Sequence, residues 1–323
     1  MANEVLYLSR RDVEEVDLPM PDLIEALEGA FRMKGEGRVD MPPKPGIHTR
    51  GDSFIHAMPA YIPDLDAAGM KWVSGYPENS GKGLPYITGL LILNDPDTGL
   101  PISVMDATWI TAKRTGAATA VAARHLAFEG SDTVGIIACG VQGRGNLEAL
   151  SHVFDISLVR AYDINPAVAR RYAGEMGERL GVEVEVVRSS REALSGSHMV
   201  VTSGPILRNP SPAIGAGLLE PGGFACPLDF DSYWKKDAFL EVGKLATDDT
   251  GQMEHYREIG YFRNTPQTYA DLGEIVAGRA PGREDEDERT MCINLGLAME
   301  DIVAADLIYR EARRRNLGTE LPL

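Results

Sequence analysis

The chain has 323 residues, 44% hydrophobic and 25% charged. That is room for two domains at about 100–200 residues each, with a globular balance that excludes a wholly disordered chain or a collagen-like fibre. Acidic residues number 48 and basic residues 32, a formal net charge of -16 whose field repels phosphate backbones and argues against a nucleic-acid partner. Cys139, Cys226 and Cys292 are few and widely spaced, as in a reduced cytoplasmic protein rather than a disulfide scaffold or a four-cysteine zinc site. Residues 1–11 are polar without an apolar signal region. No run reaches the roughly 18 apolar residues of a membrane span, so the expectation is a cytoplasmic protein with no membrane partner.

In chain order, Leu23, Ile24, Leu27 and Phe31 recur at helical spacing and predict a helix over 21–33. Between 52 and 105, short apolar runs at 54–58, 70–73, 86–93 and 102–105 are broken by Pro and Gly and read as a small sheet, with a turn at 94–99. The alanine-rich stretch 107–127 predicts a helix whose weak spot is Gly116. A boundary follows near 129–132. Strands at 134–138, 158–162, 182–187 and 199–202 then alternate with helices at 143–154, 166–180 and 190–196, the rhythm of a parallel sheet covered by helices. Five consecutive carboxylates, Glu284 to Glu288, read as a solvated loop, since they lack the ligand alternation of a calcium loop. A last helix over 294–315 ends in Arg313-Arg314-Arg315, placed to favour a helix C-terminus, and returns to the first domain. The fold class expected is α/β: a Rossmann dinucleotide-binding domain at 130–293, and a discontinuous α+β domain formed by 1–129 and 294–323.

Strand 134–138 runs into Ala138-Cys139-Gly140-Val141-Gln142-Gly143, the dinucleotide pattern with Ala at its first position. Gly140 lets the backbone approach a pyrophosphate, Gly143 lets the helix pack on the strand, and the helix N-terminus faces the phosphates. Asp163 closes the next strand, where an acidic residue binds ribose hydroxyls and repels a 2′-phosphate, so NAD is favoured over NADP. Arg144 can assist either cofactor. Thr202 and Ser203 end a later strand and line the cofactor. The rival reading is a structural glycine turn with a capping aspartate. The scattered histidines form no metal motif, and no G-x-S-x-G elbow marks a hydrolase.

Several segments together resemble the ornithine cyclodeaminase/μ-crystallin family. They are Met58-Pro59-Ala60, Met70-Lys71-Trp72-Val73, Pro77-Glu78-Asn79, Gly83-Leu84-Pro85 and Asp97-Thr98-Gly99-Leu100-Pro101. Further along come Thr111-Ala112-Lys113-Arg114-Thr115-Gly116-Ala117-Ala118, Gly140-Val141-Gln142, Pro221-Gly222 and Gly296-Leu297-Ala298-Met299-Glu300-Asp301. The resemblance implies a Rossmann domain, a second domain built from both chain ends, and a homodimer formed through that second domain. It makes Lys71 the active-site lysine, Arg114 the carboxylate-binding arginine and Thr115 part of the cofactor site. It places the catalytic aspartate, which exchanges protons with the substrate amine, at Asp231, with Asp229 in reserve.

Two departures bear on the substrate. Lys44 stands where cyclodeaminases carry a carboxylate-contacting arginine, and a lysine does not reproduce the guanidinium fork. His56 replaces a glutamate near the substrate amines, which weakens the case for a diamino acid such as ornithine. The reading is therefore an NAD-dependent enzyme acting at the amino-bearing carbon of an amino acid or cyclic imino acid. Three routes remain open: cyclodeamination, ketimine reduction and alanine-type dehydrogenation. A μ-crystallin-like binding protein and a purely structural protein are the rival classes.

Overall fold

The computed structural model describes residues 4–323; residues 1–3, which open the polar segment and the expected first domain, lie outside the described residues. Two units result: the chain up to Arg114 together with Leu297–Leu323, and Thr115–Gly296.

The first unit holds β1 (Glu4–Leu8), α1 (Arg10–Val16), α2 (Met20–Gly35), β2 (Gly46–Ile47), β3 (Phe54–Ile62), β4 (Ala67–Gly75), β5 (Ile87–Asn94), β6 (Pro101–Asp106) and the start of α3 (Thr108–Leu126). The second holds β7 (Thr133–Ile137), α4 (Val141–Leu150), β8 (Leu158–Tyr162), α5 (Pro166–Leu180), β9 (Glu183–Val186), α6 (Ser190–Leu194) and β10 (Met199–Thr202). It continues with β11 (Phe224–Pro227), α7 (Lys236–Phe239), β12 (Lys244–Thr247), α8 (Thr250–Glu258), β13 (Ala270–Asp271), α9 (Leu272–Val276) and β14 (Thr290–Ile293). The chain then returns to the first unit with α10 (Ala298–Arg315) and β15 (Thr319–Pro322).

In the first unit the strands form one sheet, ordered β15-β1-β6-β5-β4-β3-β2. The predicted sheet of residues 52–105 is its antiparallel centre. Strand alternation sends Met58, Ala60, Ile62, Val73, Leu91, Leu93 and Met105 to one face, where they are buried and α10 packs against the sheet. Leu23, Ile24, Leu27 and Phe31 of α2 are fully buried in the same unit. Three strands of this sheet, β1, β2 and β15, were absent from the sequence reading. β1 runs parallel to β6, and β15 pairs antiparallel with β1, so each short strand is fixed by a partner distant in sequence. The opposite face exposes Tyr7, Tyr61, Trp72 and Leu90, with Trp72 and Leu90 side by side in register and each over 40% exposed.

In the second unit all eight strands are parallel, in the order β13-β12-β14-β11-β10-β7-β8-β9. From β9 to β11 this is the Rossmann order, with its switch point between β7 and β10. The predicted helix 143–154 begins earlier, at Val141, and ends at Leu150; residues 151–154 are turns closed by Val153 N and Phe154 N on the Leu150 carbonyl.

The unit boundaries fall at Arg114/Thr115 and Gly296/Leu297, not at 129/130 and 293/294. The reason at the first is packing. Residues 117–123 of α3 are all buried, and the Thr119 hydroxyl meets Cys226 Sγ of β11 at 3.3 Å. Gly116 belongs to this contact, because a Cβ there would overlap the Gly145 carbonyl of α4. The acidic segment is exposed over Glu284 to Asp287. It is nonetheless anchored: Lys244 Nζ reaches Glu284 at 2.6 Å and Glu288 at 3.4 Å, and Arg283 donates to the Leu126, Gly222 and Glu288 carbonyls.

Candidate active site

Lys71 lies in the middle of β4, opposite Met58 of β3, so its side chain joins the covered face of the sheet. It is 1% exposed, and its ammonium meets Asp301 in the first turn of α10 at 2.7 Å. Thr111 Oγ1 of α3 lies 3.5 Å away. Arg114, one helical turn further along α3, contacts Glu300 through Nη1 at 2.6 Å and Asp301 through Nε at 3.1 Å. Both carboxylates are fully buried, at a helix N-terminus whose dipole favours negative charge. Burial drives the Lys71 ammonium down to about 7, the Asp301 charge opposes that drop, and the Arg114 and Lys44 charges add to it. Burial likewise pushes the Glu300 carboxyl up against the pull of Arg114. Lys44 is itself buried. The unit thus gathers three cations around two carboxylates.

His56 shares the sheet face of Lys71, as the partner of Val73 in β3–β4 pairing. It is half-buried, stacks on Phe54 with ring centroids 4.3 Å apart, and covers Gly46 so closely that a Cβ there would overlap its ring.

In the second unit β7 ends in the glycine turn. Ala138 sits at φ 72, a left-handed conformation that costs an L-residue roughly 1–2 kcal/mol. Gly140 is the N-cap of α4, and no side chain caps that helix. A Cβ at Gly140 would meet nothing within 4 Å, whereas one at Gly143 would lie 2.6 Å from the Ala138 carbonyl oxygen. One glycine therefore leaves open space before uncapped N–H groups, and the other permits close packing of helix on strand. Val141 beside them is exposed, and Gln142 accepts from the Asn146 side chain through its carbonyl. Asp163 follows β8, accepting from Cys139 N at 2.9 Å and Asn165 N at 2.8 Å. This donor and acceptor set fits an NAD dinucleotide. Arg144 is engaged elsewhere, on Glu175 and on the Cys139 carbonyl.

Thr202 is fully buried. Its hydroxyl donates to Asp229 Oδ1 at 2.9 Å and accepts from Trp234 Nε1 at 3.2 Å, so its side chain ties the strand end to the residues after β11. Ser203 is tied back to the Ile137 and Ala138 carbonyls. Asp229 is fully buried, with its second oxygen on Gly204 N at 2.9 Å, and burial pushes its carboxyl up to about 7. Phe230 then takes φ 61, and Asp231 lies in a cavity of about 260 Å³ within the same unit. Burial raises the Asp231 carboxyl too, opposed by hydrogen bonds that include Thr265 Oγ1 at 3.4 Å. The two aspartates therefore differ in kind: one is a buried strut, the other reaches a cavity.

The ornithine cyclodeaminase/mu-crystallin family model matches residues 3–316. The chain belongs to that family.

Among its relatives, the alanine dehydrogenase of Archaeoglobus fulgidus is 36% identical over 98% of both chains. The structure of Thermococcus litoralis Δ1-pyrroline-2-carboxylate reductase, in complex with NADH and L-proline, superposes with a TM-score of 0.90 at 35% identity. It covers 98% of this chain and 100% of that one. An archaeal alanine dehydrogenase dimer with bound NAD gives a TM-score of 0.89 at 33% identity, over 99% and 100%.

Glu300 and Asp301 are the residues to which sequence reasoning gave no role. They stood inside the family segment 296–301, but a carboxylate in an amphipathic helix carries no sequence mark of the lysine it meets 230 positions earlier. Among the described residues no group of His, Cys, Asp and Glu is arranged to hold a metal ion, and no helix is long and apolar enough to cross a membrane.

Proposed function

We propose that the chain is an NAD-dependent oxidoreductase acting at the amino-bearing carbon of an amino acid or cyclic imino acid, with stoichiometric use of the cofactor. The observation that carries the reading is the presence, in one family member, of an uncapped glycine turn closed by Asp163 and a buried cation cluster of Lys44, Lys71 and Arg114. Relatives named for alanine dehydrogenation and for pyrroline-2-carboxylate reduction support it.

In this reading the first unit is the substrate and dimerisation domain and the second is the NAD-binding domain. Arg114, with Lys71 or Lys44, holds the substrate carboxylate. Glu300 and Asp301 hold Arg114 and Lys71 in place. Gly140 to Gly143 and the α4 N-terminus receive the pyrophosphate, Asp163 receives the adenosine ribose hydroxyls, and Thr115 and Ser203 line the cofactor. Thr202 acts at one remove, by fixing the strand end through Asp229 and Trp234. Asp231 takes and returns the proton at the substrate nitrogen. When bound, NAD accepts the hydride of the amino-bearing carbon. Overall an amino acid, NAD and water give a 2-oxo acid, ammonium, NADH and a proton; in the other direction a cyclic imine, NADH and a proton give the cyclic amine and NAD. His56, in place of an anion, disfavours a substrate with a second amine.

A second copy of the chain is the partner that fits the exposed sheet face of Tyr7, Tyr61, Trp72 and Leu90, in line with the dimeric relative. Three buried free cysteines suit a reducing cytoplasm.

The test uses the purified chain with NAD and single amino acids, with NADH and cyclic imines, and with NADH, 2-oxo acids and ammonia, followed by nicotinamide absorbance. One equivalent of NADH formed or consumed per product is expected. L-Ornithine with substoichiometric NAD is run alongside. Many turnovers to proline and ammonia without accumulated NADH would replace this reading with cyclodeamination. NADH binding without turnover on any substrate would replace it with a binding protein.

A further inference from the structure

The cavity that holds Asp231 has a lining at odds with the charge of the chain. The whole sequence carries a net charge of -16, yet the rim of this cavity presents Arg208, Lys236 and Arg263 against the single carboxylate of Asp231. All three cations are exposed, and among the described residues none of them has a carboxylate partner at ion-pair distance. Arg263 donates through Nε to the Gly260 carbonyl at 3.0 Å and leaves its other donors available. Arg208 lies over the Tyr261 ring at 5.8 Å. Elsewhere in the same unit Arg144 and Lys244 are matched to glutamates.

The rim is built from loops that are fastened together. Arg257 donates to the Phe262, Thr265 and Pro266 carbonyls at 3.1, 2.7 and 2.6 Å, which fixes the loop carrying Arg263. Leu207 N donates to Ser232 Oγ at 3.1 Å, which joins the Arg208 loop to the residue after Asp231. Trp234, 2% exposed, also lines the cavity. Three cations lining a cavity of this size make an anion site. The cofactor phosphates have their own receptor in the glycine turn, so the anion here belongs to another molecule.

We propose that the substrate is an amino or imino acid whose side chain carries its own carboxylate, received by Arg208, Lys236 and Arg263 beside Asp231. The substrate assignment rests on the reading of Asp231 as the residue that handles the amine proton; the anion site rests on the cavity alone.

The experiment compares L-aspartate and L-glutamate with their neutral isosteres L-asparagine and L-glutamine. Calorimetric titration of the NADH-loaded full chain and steady-state kinetics with NAD are run in parallel, on the wild type, on a triple variant (Arg208→Gln, Lys236→Gln, Arg263→Gln) and on Lys236→Glu alone. Circular dichroism and NADH affinity check the fold. The wild type should bind at least one acid about tenfold or more tighter than its amide, an advantage that shrinks with added salt. The triple variant should lose that preference, its affinity for the acid falling to that for the amide. Lys236→Glu, the fallback if the triple variant does not fold, should weaken the acid more than the amide. Equal binding of acid and amide by the wild type overturns the proposal, as does a preference that survives in the variants. Turnover of neutral amino acids without any preference for the acids overturns this inference and leaves the oxidoreductase reading standing. A preference lost in the variants, with no redox turnover on any substrate, supports the anion site and overturns the oxidoreductase reading.

Discussion

Replacing Asp301 by Asn removes the counter-charge of Lys71 at nearly constant shape. Lys71 and Asp301 are 1% and 0% exposed and 2.7 Å apart, and Arg114 Nε is 3.1 Å from the same carboxylate. Two charge-assisted contacts are weakened, each contributing about 1.5–3 kcal/mol, and Asn keeps one acceptor oxygen. A loss of about 2–3 kcal/mol is therefore expected at pH 8, where the Lys71 amine, with its folded pKa near 7, is largely neutral. Without Asp301 that pKa falls further, so below pH 7 the wild-type folded state binds a proton that the variant does not. The gap between them then widens by about 1.4 kcal/mol for each pH unit. At pH 5.5 the loss should reach about 4–5 kcal/mol, within the range for breaking a buried ion pair. Urea denaturation followed by tryptophan fluorescence measures it, with Trp72 and Trp109 reporting on the first unit and Trp234 on the second. In a Lys71→Met background the pH-dependent part should vanish. A loss below about 1 kcal/mol, or one unchanged between pH 8 and pH 5.5, would refute the buried pair.

Asp231→Asn should lower kcat by about 10²-fold or more, the usual contribution of a positioned acid–base group, with NADH affinity unchanged by fluorescence titration; full activity removes Asp231 from the chemistry. Gly116→Ala drives a methyl into the Gly145 carbonyl and should cost about 1–3 kcal/mol in the second unit, despite improving helix propensity; a gain in the urea midpoint would contradict the close approach. Ala138→Gly relieves a left-handed alanine and should raise stability by about 1 kcal/mol, read as a higher thermal midpoint. Asp229 has a folded pKa near 7 against 3.8 for the free side chain, so the folded state binds the extra proton between those values and stability falls as pH rises from about 4 to 7. Asp229→Asn should flatten that part of the stability profile, though it also gives up one of the acceptors used by Thr202 and Gly204. An unchanged slope would place the titration elsewhere.

Local pattern was enough for the elements whose signal lies within a few residues. The helices at 108–126 and 166–180, the strands at 158–162 and 199–202 and the glycine turn from Ala138 to Gly143 were legible because side-chain period, caps and turn residues are written contiguously. Resemblance to the family singled out Lys71 and Arg114 before any partner for them was visible. What the sequence left open depends on residues far apart along the chain. β1 and β15 become strands only because β6 and β1 offer them edges, and no short run of sequence states that. Gly116 read as a flaw in a helix, and the approach of Gly145 makes it a requirement. Asp229 and Asp231 are two residues apart and chemically alike in sequence. Only the folding of Thr202, Gly204 and Trp234 around one of them, and of a cavity around the other, separates a strut from a group that can meet a ligand. The physical reason is the same in each case: burial and ionisation are set by neighbours in space, and the sequence orders those neighbours only along the chain.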